Sequence, residues 1–362
     1  MDDTVILSTS RNGALTKLAL LKEFCNTHGM FVNVSKTKFI CLNGKEEDKQ
    51  DLIVDNMCVK TCSYYVYLGA IFCDSGKTSM SIKINANIRM CQALKFVSFC
   101  KKNNDIPFFI KKKIFHAALM SSILYGCESW LDGNIKPMEI LYNMCIKHLL
   151  GVRKTTNTNL CMVELGLPPL KSLVKEKQRK FFRDMWVERR DMADDPLNFM
   201  LRLTLSSNTS ASRYVKDLLD NDVHDTSEAM NNIIQNVCNS NSSKCIYYKS
   251  INPSIPVHSV YNMKSKINEL ERISWSKLRL SAHSLVIETG RWNRRGRGRL
   301  PVEQRLCECG QVQTEQHVIE VCPRSQHIRD LHGFQSLTLL MLENNDYSNV
   351  CHVVHKILEL YK

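Results

Sequence analysis

Tyr65-Val66-Tyr67-Leu68-Gly69-Ala70-Ile71-Phe72-Cys73-Asp74-Ser75-Gly76-Lys77-Thr78-Ser79 is the stretch on which the fold turns. Its first nine residues are rich in aromatic and β-branched side chains, the signature of strands. Beyond Thr78 the apolar residues recur at helical spacing instead. The polar residues between are a turn from strand to helix. Gly76-Lys77-Thr78 ends like a phosphate-binding loop, but that motif needs a glycine five residues before Gly76, and position 71 is Ile.

N-terminal to this junction the pattern is mixed. Thr4-Val5-Ile6-Leu7 is β-prone, and Leu15, Leu18, Leu21 and Cys25 predict a helix that Gly29 ends. Val32 and Val34, and Phe39 to Leu42, predict further strands. C-terminal to it, three helical stripes are expected. They are Ile82, Ala86, Ala93, Leu94 and Val97; Ile114, Ala117, Ala118 and Leu124, after Pro107; and Met138, Leu141, Cys145 and Leu149, ended by Gly151. The fold class is therefore α+β. Residues 1–75 form a small mixed piece and 76–190 a helical region. A polar connector with short helices covers 191–262, a basic segment with a cysteine–histidine unit covers 263–335, and a C-terminal helix around Val353, Ile357 and Leu360 ends the chain.

The chain has 362 residues, 44% of them hydrophobic, and a formal charge of +13 from 49 Lys and Arg against 36 Asp and Glu. This composition excludes wholesale disorder and favours a polyanionic partner, RNA or DNA by default. A membrane partner is not expected, because no basic amphipathic face and no long apolar run is present. Two acids open the chain where a signal peptide would carry bases, so an intracellular location, nucleus or cytoplasm, is expected. The 16 cysteines are scattered and read mostly as reduced thiols. The sequence does not set an oligomeric state.

One group of cysteines has ligand-like spacing. Cys307, Cys309, His317 and Cys322 follow the pattern C-x-C-x7-H-x4-C. Cysteines two apart share one side of an extended strand, Gly310 permits a tight turn, Thr314 can cap a short helix bearing His317, and Pro323 takes Cys322 out of the helical region. Three thiolates and an imidazole suit a closed structural Zn²⁺ site. The same residues also admit a redox or buried-thiol reading, and His327 and His332 are nearby substitutes expected to face solvent.

Immediately upstream, residues 264–299 hold ten Lys or Arg against three Glu, a net of +7. Arg291, Arg294, Arg295, Arg297 and Arg299 can fork onto phosphates, and Trp292 offers a stacking face for an unpaired base. All five arginines engaged on a single strand imply a log–log salt slope of roughly −3.5. The alternative is a solvated charge run. Lys111, Lys112 and Lys113, on the helix after Pro107, are either a solvated face or a contact to a nucleic-acid duplex.

A series of motifs in order resembles the reverse transcriptases of non-LTR (LINE-type) retrotransposons. Met1-Asp2-Asp3 resembles their aromatic-x-Asp-Asp motif, without the aromatic residue. The helix from Leu15 to Cys25 and the run Gly29-Met30-Phe31-Val32-Asn33-Val34-Ser35-Lys36-Thr37-Lys38 are similar to the palm elements that follow it, and Tyr67-Leu68-Gly69 to the primer-grip turn. Leu124-Tyr125-Gly126-Cys127-Glu128-Ser129-Trp130, Gly151-Val152-Arg153-Lys154 and Glu164-Leu165-Gly166 with Pro169-Leu170 resemble thumb-region motifs, and the Cys-His cluster resembles the family's C-terminal zinc-knuckle-like element.

The resemblance implies a truncated palm remnant in 1–75, a thumb-like region in 76–190 and a small zinc-binding end. It implies metal-ligand roles for Asp2 and Asp3 in an intact enzyme and places Lys36 near the phosphates of an incoming nucleotide. Mg²⁺ would enter only with a complete polymerase site, because two ions need a further carboxylate from an earlier strand. The expectation is a truncated reverse transcriptase, inactive alone but retaining nucleic-acid binding. The alternatives are a zinc-dependent RNA- or DNA-binding module without catalysis, or a transposon fragment with no selected function.

Overall fold

In the computed structural model the chain is an α+β protein, mainly helical, with a small sheet and a hairpin. The structure describes residues 4–131, 133–189, 191–192, 194–221, 225–255, 257–261, 267–292, 298–334, 336–337 and 346–362. It divides into two compact units, residues 1–87 with 125–137, and residues 88–124 with 138–362. No helix among the described residues is long and apolar enough to cross a membrane.

The first unit begins with the helix Arg11–Thr27, where the Ser10 side chain accepts from the Gly13 N–H as an N-cap. Its end is the expected one: Gly29 is left-handed, and the Met30 N–H reaches back to the Cys25 carbonyl at 2.8 Å. Leu18 of this helix is buried against Leu52, Met57 and Val59. Those three come from β2 (Leu52–Val54) and β3 (Met57–Thr61), which pair antiparallel, while β1 (Lys38–Phe39) joins β3 in parallel. The opening stretch forms the hairpin of β4 (Tyr64–Tyr67) and β5 (Ala70–Cys73). Leu68 and Gly69, both with positive φ, make its two-residue turn, and the Tyr125 hydroxyl donates to the Leu68 carbonyl at 2.6 Å. After the Asp74–Lys77 turn the helix Thr78–Lys102 begins, as the junction predicts.

Two expected strands are absent. Thr4–Leu7 has no partner strand among the described residues and leaves Leu7 exposed. Val32 and Val34 flank a turn, because the Asn33 side chain accepts from both the Ser35 hydroxyl and the Lys36 N–H.

The second unit holds most of the helices. Met138, Leu141, Cys145 and Leu149 of the helix Lys136–Leu150 are buried as the spacing requires. The stripe after Pro107 differs: Phe115, Leu119 and Ile123 are buried and Ala117 and Ala118 exposed. Residues Phe115–Met120 form a π-helical turn, which inserts an extra residue and rotates the buried face. On the helix Thr78–Lys102, Leu94 is likewise exposed.

The segment 191–262, expected as a polar connector with short helices, is helical as expected and lies within the second compact unit. It contains the helices Pro196–Ser206, Ser210–Asp220, Asp225–Asn239 and Ser243–Ile251. Buried Arg179, on the helix Leu170–Arg189, ties them down through Asp225 at 3.0 Å and the Leu218 carbonyl at 2.6 Å. The first of the polar runs that suggest a linker supplies a helix cap, with Thr209 accepting from the Ser212 N–H.

A chain of buried polar contacts crosses this unit. Glu164 meets Arg279 at 2.6 Å and the hydroxyls of Tyr248 and Tyr261 at 2.6 and 2.9 Å. Ser276 links Tyr261 to Arg272, which pairs with Glu269 at 2.7 Å, and Glu269 pairs with Lys111 at 2.9 Å. The C-terminal helix Tyr347–Leu360 packs on the helix Glu269–Arg279 with Val350, Val353, Val354 and Ile357 buried.

Candidate metal centre

The chain reaches the cluster through a short antiparallel bridge, Leu306 to Val312. The Cys307 N–H donates to the Gln311 carbonyl at 2.7 Å and the Gly310 N–H to the Cys307 carbonyl at 2.9 Å. Gly310, at φ +89°, makes the turn that a side chain would strain. These contacts set Cys307 and Cys309 on one tight loop. Thr314 accepts from the His317 N–H at 3.0 Å, the cap its position suggests. Cys322 leaves the helix at ψ 129°, as Pro323 requires.

The four ligand atoms converge to within 4.8 Å of one another. The Cys307 and Cys322 sulfurs lie 3.7 Å apart, those of Cys322 and Cys309 3.9 Å, and Cys309 Sγ is 3.1 Å from His317 Nε2. Zinc–sulfur bonds of about 2.3 Å in a tetrahedron place sulfurs about 3.8 Å apart, so the group fits Zn²⁺. Cys307, His317 and Cys322 are buried and Cys309 is exposed. Burial, and then the nearby Arg329 guanidinium, push the His317 imidazole below its ordinary range, which favours the neutral form that binds metal.

Arg329 and Arg305, unremarked in the sequence, brace the cluster from either side. Arg329 donates to the Cys322 carbonyl at 2.8 Å and to Ser325 Oγ at 2.7 Å. Arg305 donates to the carbonyls of Ile287 at 3.0 Å and Leu300 at 2.7 Å. The Leu300 N–H in turn donates to the Gly290 carbonyl at 2.9 Å, joining the two ends of the arginine segment.

Of the residues expected on that segment, Trp292 and Arg299 are exposed, while Arg294, Arg295 and Arg297 lie outside the described residues. Arg291 is half-buried, and its guanidinium pairs with buried Glu288 at 2.8 Å, which anchors the start of the segment. Lys111 is a correction. A helix starting at Phe108 puts residue 111 on the same inward face, and Lys111 is fully buried against Glu269 and the Cys100 carbonyl. Lys112 is half-buried, and Lys113 is exposed over the Phe109 ring. Asp2 and Asp3 lie outside the described residues. Lys36 is exposed in the Asn33 turn, and its carbonyl accepts from the Tyr65 hydroxyl at 3.4 Å. His332 pairs with Asn349 rather than joining the cluster, and His327 is exposed.

No protein-family model matches the chain, and neither a curated protein nor a solved structure does.

Proposed function

We propose that this chain is a zinc-stabilised RNA- or DNA-binding protein of the non-LTR retrotransposon reverse-transcriptase lineage, and that it holds nucleic acid on the loop 291–299. The lineage is supported by the order of the motifs from Met1-Asp2-Asp3 to the Cys-His cluster, and the binding role by net charge and by the loop. The observation that carries the binding reading is the junction between the two ends of the arginine segment. Gly290 and Leu300 join there, and Arg305, two residues before Cys307, grips both flanks. A metal at the four ligands would fix the strand that carries Arg305 and with it the two ends of the arginine segment.

The test is binding of a labelled single strand by the parent and by a variant with Arg294, Arg295, Arg297 and Arg299 changed to Ala. Weaker binding by the variant at low salt is expected. Equal affinity would leave the loop as a solvated face and end the reading.

A further inference from the structure

Arg153 follows the helix Lys136–Leu150 and lies far from the arginine loop in sequence, yet its guanidinium sits 4.4 Å over the centre of the Trp292 ring. Both partners are firmly placed. Gly151 is left-handed and lies so close to Ile273 that a Cβ there would meet it at 2.6 Å. The Val152 N–H closes on the Lys147 carbonyl, and the Lys147 ammonium holds the Lys154 carbonyl at 2.8 Å. Trp292 is held by the Gly290–Leu300 closure and by Arg291 on Glu288.

Arg153 makes no ion pair among the described residues, and its Nε is buried without an acceptor. Glu288 is the acid whose charge acts on Arg153, and it already pairs with Arg291 at 2.8 Å, so a phosphate beside Arg153 would meet a guanidinium that is only partly neutralised. Trp292 nevertheless keeps 44% of its surface exposed. An indole with one face against a guanidinium and this much surface exposed can still accept an unpaired base, which a base already stacked in a duplex cannot supply.

We infer that Arg153 and Trp292 form a clamp for one unpaired nucleotide, in which the base stacks on the open indole face and Arg153 takes an adjacent phosphate. This rests on the loop's nucleic-acid role and adds selectivity for single strands over duplex. The shared chemistry is an unpaired base with its phosphate, whether in RNA or DNA.

The experiment titrates the full chain against oligo(dT) and oligo(U) of about 12 nucleotides, within the usual footprint of such sites, and against a duplex of the same length. Trp292→Ala should weaken both single strands roughly 5- to 150-fold and leave the duplex unchanged, while Trp292→Phe retains most of the binding. Arg153→Ala should flatten the salt slope on single strands by about 0.7, and Arg153→Lys should restore the slope without the full affinity. Tighter binding of oligo(U) or of oligo(dT), abolished by Trp292→Ala, supports the clamp and identifies the sugar. Equal losses on strand and duplex, or no loss with Trp292→Ala, overturn it. In the second case the loop reading survives if the four-arginine variant still binds weakly; if that variant binds like the parent, both fall.

Discussion

At the scale of single residues the buried charges govern stability. Burial alone would raise the Glu164 carboxyl. Arg279 opposite it, together with the Tyr248 and Tyr261 hydroxyls, brings it below the usual carboxylate range. A lowered folded value means the stabilisation is present above the ordinary carboxylate range and is lost as pH falls through the folded value. Glu164→Gln leaves Arg279 buried without a counter-charge and should cost about 3–5 kcal/mol at neutral pH. Urea melts of the two proteins should converge as the pH is lowered; an equal deficit at all pH values would contradict the ion pair. Lys111→Met should behave differently. Arg272 still neutralises Glu269, so its cost should fall below that of Glu164→Gln in the same melts. The sequence marks Glu164 as notable only through the Glu-Leu-Gly motif, since partners such as Arg279 and Tyr248 are unpredictable from spacing. Lys111 shows the same limit: a triple-lysine run reads as a solvated face until the helix start fixes which of the three points inward.

At the scale of elements, local chemistry was legible where it is self-contained. The Gly29 ending, the strands from Tyr65 to Cys73 and the stripe from Met138 to Leu149 need only neighbours in sequence, and each is present. The Cys-His cluster was legible for the same reason, because all four ligands lie within sixteen residues. Readings failed where a distant or irregular feature decides. The π turn at Phe115–Met120 rotates a stripe that α-periodicity predicts. Thr4–Leu7 has strand propensity, but propensity without a partner makes no strand.

The zinc unit belongs to this scale as well. Zinc should bind one to one, and in small finger peptides structural zinc supplies about 10–16 kcal/mol toward folding. Chelation should therefore abolish amide-exchange protection of residues 305–322 while the helix Lys136–Leu150 keeps its own. Cys309→Ser should lower the bound zinc; an unchanged metal content in that variant would remove the site.

At the scale of the whole molecule, a charge of +13 says only that polyanions are attracted. What makes the attraction specific is where charge is free. Arg291, Arg279, Arg272 and Lys111 are taken up by internal acids, so the count of basic residues overstates the binding charge. The salt dependence of single-strand binding by the zinc-loaded chain measures that free charge directly. Four loop arginines on phosphates predict a log–log slope of roughly −2.8, steepening to roughly −3.5 when Arg153 joins them. A slope near zero, or no binding at low salt, would contradict the account.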